Sequence, residues 1–134
     1  MAKSNGEVKL FNPQPAEFYM MSGAPAASAK AALEELGFAV EENARVRGLS
    51  GFEHSFALVA RKGERVVCVS IVKANPTSIF AEVVKGLDVP HEIVVAAEGE
   101  PPPKAVELSR KRRVQVIAFK SAEELAEELK KALA

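Results

Sequence analysis

The stretch HSFALVARKGERVVCVSIVK, residues 54–73, decides the architecture of this chain. Two runs rich in β-branched and aromatic residues are parted by Lys62, Gly63 and Glu64, a short polar turn with hairpin chemistry. His54 to Arg61 and Arg65 to Lys73 therefore read as antiparallel neighbours. The second run is apolar on both faces (Val66, Val67, Cys68, Val69, Ile71, Val72), which a strand tolerates only with helices on either side. It is expected to be central. Upstream, Phe38 to Val46 is a further β-like segment, parted from His54 by Gly48, Ser50 and Gly51, so three strands form a meander.

Before the meander, Ala26 to Leu36 is rich in strong helix formers. Ala29, Leu33 and Leu36 repeat at helical spacing, and Gly37 is placed to cap the C-terminus. After it, Asn75 and Pro76 break the strand, and Thr77 is read as the N-cap of a helix carrying Ile79, Phe80, Val83, Val84 and Leu87. Ile93 to Ala97 is a compact buried strand. Pro101 to Pro103 end a loop and open a helix over Lys104 to Arg110, and Val114 to Phe119 is another strand. In the last segment Ser121 and Glu124 have capping-box spacing, and Leu125, Leu129 and Leu133 form one apolar stripe. The order is αβββαβαβα. Strands alternating with helices in the second half imply parallel pairing, joined to the antiparallel meander in one mixed sheet flanked by helices. Residues 1–24 read as an arm, with a short helix over Glu17 to Met21, and residues 25–134 as a single domain.

Composition sets limits. The chain has 134 residues, near the commonest domain size, with 48% hydrophobic and 27% charged residues, an ordinary globular balance. Lys plus Arg (18) equal Asp plus Glu (18), so no global field steers the chain toward polyanions, and a phosphate site has to be a local patch. Apolar stretches such as Val66 to Val69 are too short to span a bilayer. Met1 to Lys9 lacks the apolar core of a secretory signal, so a cytoplasmic location is the expectation. The single cysteine, Cys68, lies in an apolar run and is expected to be buried and inert.

No glycine-rich phosphate loop, paired-cysteine metal motif or nucleophile elbow occurs. His54 and His91 stand alone, with no second ligand at metal spacing, and His54 is expected to hydrogen-bond locally or line the sheet.

The helix ending Leu36-Gly37-Phe38, the strand at Ala39-Val40, the segment Gly48 to Gly63 and the strand Val66 to Lys73 together resemble the core of the restriction-endonuclease-like, or PD-(D/E)XK, superfamily. That group includes archaeal Holliday junction resolvases and Mrr-type nucleases, and the resemblance spans residues 26–119. It implies an aspartate on the second core strand and an acidic-x-Lys triplet on the third. Together these would hold a divalent metal, Mg2+ or Mn2+, that activates water against a phosphodiester. On this chain those positions fall on Ala57, Ser70 and Val72. Sliding the triplet so that Lys73 supplies the amine puts Ile71 in the acidic slot. Neither register provides a carboxylate, so the nuclease site is degenerate. A rearranged site would have to draw on Glu53, four residues from Ala57 and about 13 Å away along the strand, or on Glu34 and Glu35 of the preceding helix.

Two basic groups could touch phosphates. Arg45 and Arg47 alternate on a strand end, with Arg61 and Lys62 expected nearby; charge placed to keep an edge strand soluble explains them equally. The run Arg110 to Arg113 closes a helix, where cations suit the dipole. Phe52 and Tyr19 are the aromatics able to stack on bases. The resemblance also implies a symmetric homodimer. The leading expectation is a non-catalytic nuclease-fold module, associated with DNA or RNA or assembling with a protein partner. The alternatives are an active Mg2+- or Mn2+-dependent nuclease with a rearranged site, and a purely structural or dimeric interaction domain.

Overall fold

A computed structural model describes residues 23–109 and 114–134. Residues 1–22, with the short helix read over Glu17 to Met21 and Tyr19, and the run Arg110 to Arg113 lie outside them. The order is α1 (Ala24–Glu35), β1 (Ala39–Arg47), β2 (Glu53–Lys62), β3 (Arg65–Lys73), α2 (Pro76–Val84), a 3-10 turn (Lys85–Leu87), β4 (Glu92–Glu98), α3 (Pro103–Ser109), β5 (Val114–Phe119) and α4 (Ala122–Leu133). The five strands form one sheet in the order β1-β2-β3-β4-β5. The first two pairings are antiparallel and the last two parallel, the mixed sheet that the sequence implies.

β3 sits in the middle because its sequence is apolar on both sides, and each side has its own cover. Val67, Val69 and Ile71 join a cluster with Leu33 of α1 and Leu125, Leu129 and Leu133 of α4. Cys68 and Val72 face the other way, into a cluster with Ile79 and Val83 of α2. Among the described residues no helix is long and apolar enough to cross a membrane.

Local signals fix the helix ends. At the end of α1, Gly37 has φ +95°, its N–H donates to Glu34 O at 3.0 Å, and Phe38 N–H reaches back to Leu33 O at 3.0 Å. This is the Schellman arrangement that glycine alone adopts without strain. Ser121 caps α4, its Oγ accepting from Glu124 N–H at 3.1 Å, while Glu124 Oε1 accepts from Lys120 N–H at 2.6 Å. The cap of α2 differs from expectation. It is Asn75, whose Oδ1 accepts from Ser78 N–H at 2.9 Å, and Thr77 lies inside the helix. Pro76 explains the shift: its fixed φ and missing N–H suit the first helical position, which makes the residue before it the cap.

The β1–β2 hairpin departs from simple alternation. Ala57 and Leu58 are sequence neighbours, yet both lie in the cluster under α1 and α4, while Phe56 and Val59 both lie under α2. On β1, Val40 packs on the α1/α4 side and Ala44 and Val46 on the α2 side. The irregularity coincides with Asn43, whose φ of +50° is tolerated by asparagine better than by other side chains. β2 pairs with β3 only from Leu58 onward, so the outer half of the hairpin turns away from β3 and lies over α2.

Leu129 is fully buried between α4 and the sheet. Leu129→Ala should cost about 2–5 kcal/mol of stability, read as a shift of the urea midpoint with little change in slope; a loss under 1 kcal/mol would show that α4 is not part of the cooperative unit.

Candidate functional site

The hairpin irregularity decides where the three positions matching the resembled site fall. Continuing the β2–β3 register back from Leu58↔Val69 would set Ala57 opposite Ser70, on one face. The switch at Ala57–Leu58 moves Ala57 to the α1/α4 face. Cys68 and Val72, flanking Ser70 at alternate positions, lie on the α2 face, and Ser70 Oγ donates to Glu82 of α2 at 2.5 Å. The three positions matching the resembled site therefore do not share a face.

Ala57 instead lines a cleft of about 460 Å³ between α1 and the hairpin, together with Lys30, Glu34, Glu42 and Asn43 and a wall of alanines from α1. Lys30 Nζ donates to Glu42 Oε2 at 3.1 Å, and that bond holds the ammonium pKa above its ordinary value. Of the carboxylates suggested for a rearranged site, only Glu34 lines this cleft. Glu35 pairs with Lys130 at 2.8 Å and Glu53 with Arg45 at 3.7 Å. Among the described residues no group of three His, Cys, Asp or Glu side chains gathers as a metal would require.

Nor do the four basic residues converge. Arg45 pairs across from Ser55, and Arg61 is six residues further along β2, opposite Ala39, which is about 20 Å away at strand rise. Arg61 binds Glu41 at 3.4 Å. Lys62 donates to Leu36 O at 2.8 Å and lies over the Phe38 ring, bracing the end of α1. Arg45 and Arg47 remain at the hairpin tip, where Arg47 donates to Gly51 O at 3.3 Å. His91 is half-buried just ahead of β4. Cys68 is fully buried, and burial pushes its thiol pKa up to about 12, so the thiolate needed for reactivity is absent near neutrality.

The most developed polar cluster is one that local pattern does not reveal. It centres on Asp88, just past the 3-10 turn. Asp88 Oδ1 accepts from Ser50 N–H at 2.8 Å, and Oδ2 accepts from Ser50 Oγ at 2.7 Å and His54 Nε2 at 2.8 Å. The carboxylate cannot donate, so His54 carries its proton on Nε2. Leu49 N–H also donates to Asp88 O at 2.8 Å, and the His54 ring meets the edge of Phe52 at 5.1 Å. Gly48 lies against the same carboxylate, where a β-carbon would overlap it. A serine, a histidine and an aspartate meet here in the wrong order for nucleophilic catalysis, which needs the histidine between hydroxyl and carboxylate. With the carboxylate in the middle, the three groups tie the turn at residues 48–52 to the end of α2.

No family model matches this chain, and no curated protein matches it. Among solved structures, the crystal structure of a protein of unknown function, AF1548, superposes with a TM-score of 0.59 at 16% identity, covering 81% of this chain and 67% of that one. At that identity the likeness concerns the fold alone.

The hydrogen bonds from His54 and Ser50 hold the Asp88 pKa down to about 2. A carboxyl depressed in the folded state stabilises above its ordinary value and loses that contribution as pH falls through the folded one. Amide exchange at Ser50 and His54 should therefore be slow and constant from pH 7 to 4, after correction for intrinsic rates, and accelerate between pH 4 and 2. Asp88→Ala should show the fast behaviour at every pH; equal protection in the two proteins would remove Asp88 as the tie.

Proposed function

We propose that this chain is a non-catalytic module on a nuclease-type scaffold that works by assembly, and that its working surface is the tip of the β1–β2 hairpin. The observation that carries the reading is the placement of exposed apolar residues. Leu49 (79%), Phe52 (68%), Val84 (56%) and Leu87 (61%) are the large hydrophobics left exposed among the described residues. Leu49 and Phe52 stand on the turn that Asp88 holds, Leu87 directly precedes Asp88, and Val84 ends α2 three residues before Leu87. An apolar group of this kind with a polar rim is the usual mark of an interaction surface. The resembled enzymes need carboxylates where this chain has Ala57 and Ser70, and neither side chain supplies a negatively charged oxygen; the Ser70 hydroxyl is moreover engaged by Glu82.

A second reading, association with DNA or RNA, is favoured by Arg45 and Arg47 beside the exposed Phe52. It pairs cations for phosphates with a ring for stacking. Arg61 and Lys62, at the far end of β2, take no part in it.

Two measurements separate the readings. In native cell extract the chain should migrate in an assembly larger than a monomer, and Phe52→Asp with Leu87→Asp should return it to monomer size. If nucleic acid is the ligand, Arg45→Glu with Arg47→Glu should abolish a DNA or RNA affinity that falls steeply with salt. A wild-type chain that is monomeric in extract and has no salt-sensitive affinity would dispose of both.

A further inference from the structure

We propose that residues 7–12 of the N-terminal arm add to the outer edge of β5 as a sixth strand and close the sheet on that side. The proposal concerns the side of the sheet remote from the hairpin and stands apart from the assembly reading.

The sheet has two outer edges, and their sequences are unlike. On β1, Glu41, Glu42, Arg45 and Arg47 put charge along the strand, and Asn43, with φ +50°, interrupts its extended backbone. Natural edge strands resist pairing by such features. β5 reads Val-Gln-Val-Ile-Ala-Phe, with no charge, no proline and no glycine, and none of its residues has a positive φ. Among the described residues no strand lies beyond it. Its outward groups follow from the pairing with β4. Phe119 O accepts from Gly99 N–H at 3.0 Å, so the backbone of Phe119, and by alternation that of Ile117 and Gln115, turns toward β4. Val116 and Ala118 therefore direct their N–H and C=O groups outward. Both side chains are only half-buried, Val116 against the α2-side cluster. Such an edge fits an extended polypeptide, whose backbone offers donors and acceptors at matching intervals and whose apolar side chains complete the cover.

The chain carries a segment of that composition in residues 7–12, Glu-Val-Lys-Leu-Phe-Asn. Pro13 and Pro15 follow it and cannot donate to a ladder, so pairing is confined to the residues before them. The reach is sufficient. Gly23, where the described chain begins, shares the cleft with Ala57 of β2, which is level with Ser70; Ser70, Val95 and Val116 stand side by side across the sheet. The place beyond β5 is four strand spacings from β2, about 19 Å at about 4.8 Å each. Residues 13–22, fully extended, span about 33 Å, enough to pass over α4 and arrive there. The edge of β1 is nearer to Gly23, but its charges and Asn43 set it against the same pairing.

Amide exchange of the full chain, measured residue by residue at two concentrations about tenfold apart, provides the test. In the wild type the N–H groups of Val116 and Ala118 should be protected together with that of Ile117, equally at both concentrations. In the double variant Lys9→Pro, Leu10→Pro, those of Val116 and Ala118 should exchange at least about tenfold faster, while Ile117, bonded to β4, stays slow and shows that the sheet is intact. A nitroxide attached at Glu7→Cys gives a second reading that does not depend on the proline variant, since the native thiol of Cys68 is buried. It should broaden the amide signals of Val116 and Ala118 and leave that of Arg45 on β1 sharp. Fast exchange at Val116 and Ala118 in the wild type would overturn the proposal, and so would protection that survives the two prolines. Protection that grows with concentration would assign the edge to a second copy instead, and a nitroxide that broadens β1 or neither edge would remove the arm from β5. Should the prolines also release Ile117, the nitroxide decides alone.

Discussion

Burial of β3 on both faces is the constraint from which the rest of the structure follows. Seven of its nine residues, Val67 to Lys73, pair with β4, and its first five pair with β2. With neighbours on both edges and apolar side chains above and below, every other element takes its position from this strand. α1 and α4 close one face and α2 the other. Arg65 at its start adds a two-pronged contact to Glu92, at 2.8 and 3.1 Å, and reaches Leu133 O at 3.3 Å, fastening the end of α4.

The hairpin is the one part that does not stay flat against this core. Its inner half pairs with β3, and its outer half swings over α2, where Phe56 is buried and Lys85 lies over its ring at 4.8 Å. Lys85 also donates to Ser55 O at 2.6 Å and pairs with Glu82 at 2.7 Å, while Glu82 accepts from Ser70. A continuous polar line thus runs from the central strand through α2 to the hairpin, and the Asp88 cluster repeats that connection nearer the surface. Of the exposed large apolar residues among those described, Leu49 and Phe52 stand on the outer end of this doubly anchored arm, and Val84 and Leu87 on the helix end to which it is tied.

What the sequence made legible was periodic and local. The 54–73 hairpin, the glycine cap at Gly37, the Ser121–Glu124 box and the leucine stripe of α4 each depend on residues within a few positions of one another, and each appears as read. The Asn75 cap was obscured because asparagine and threonine both cap well, and the choice between them turns on the proline that separates them. The face switch at Ala57–Leu58 was invisible, since apolar residues continue through it without a gap and only the backbone at Asn43 betrays it. That one irregularity sets Ala57 and Ser70 on opposite faces of the sheet. The Asp88 cluster was missed for a different reason: Asp88 and His54 are 34 positions apart, and neither is unusual in its own neighbourhood. Arg61 and Lys62 were grouped with Arg45 and Arg47 because antiparallel strands bring distant residues side by side, yet the register sends these four to opposite ends.

The sealed position of Cys68 has a practical corollary. The chain has no other sulfhydryl, and this one is shut inside the sheet with its proton held tightly. Maleimide or iodoacetamide reagents should leave the native protein untouched, so a cysteine engineered onto any outward-facing position becomes a unique attachment point for a fluorophore or spin label without first removing the natural one.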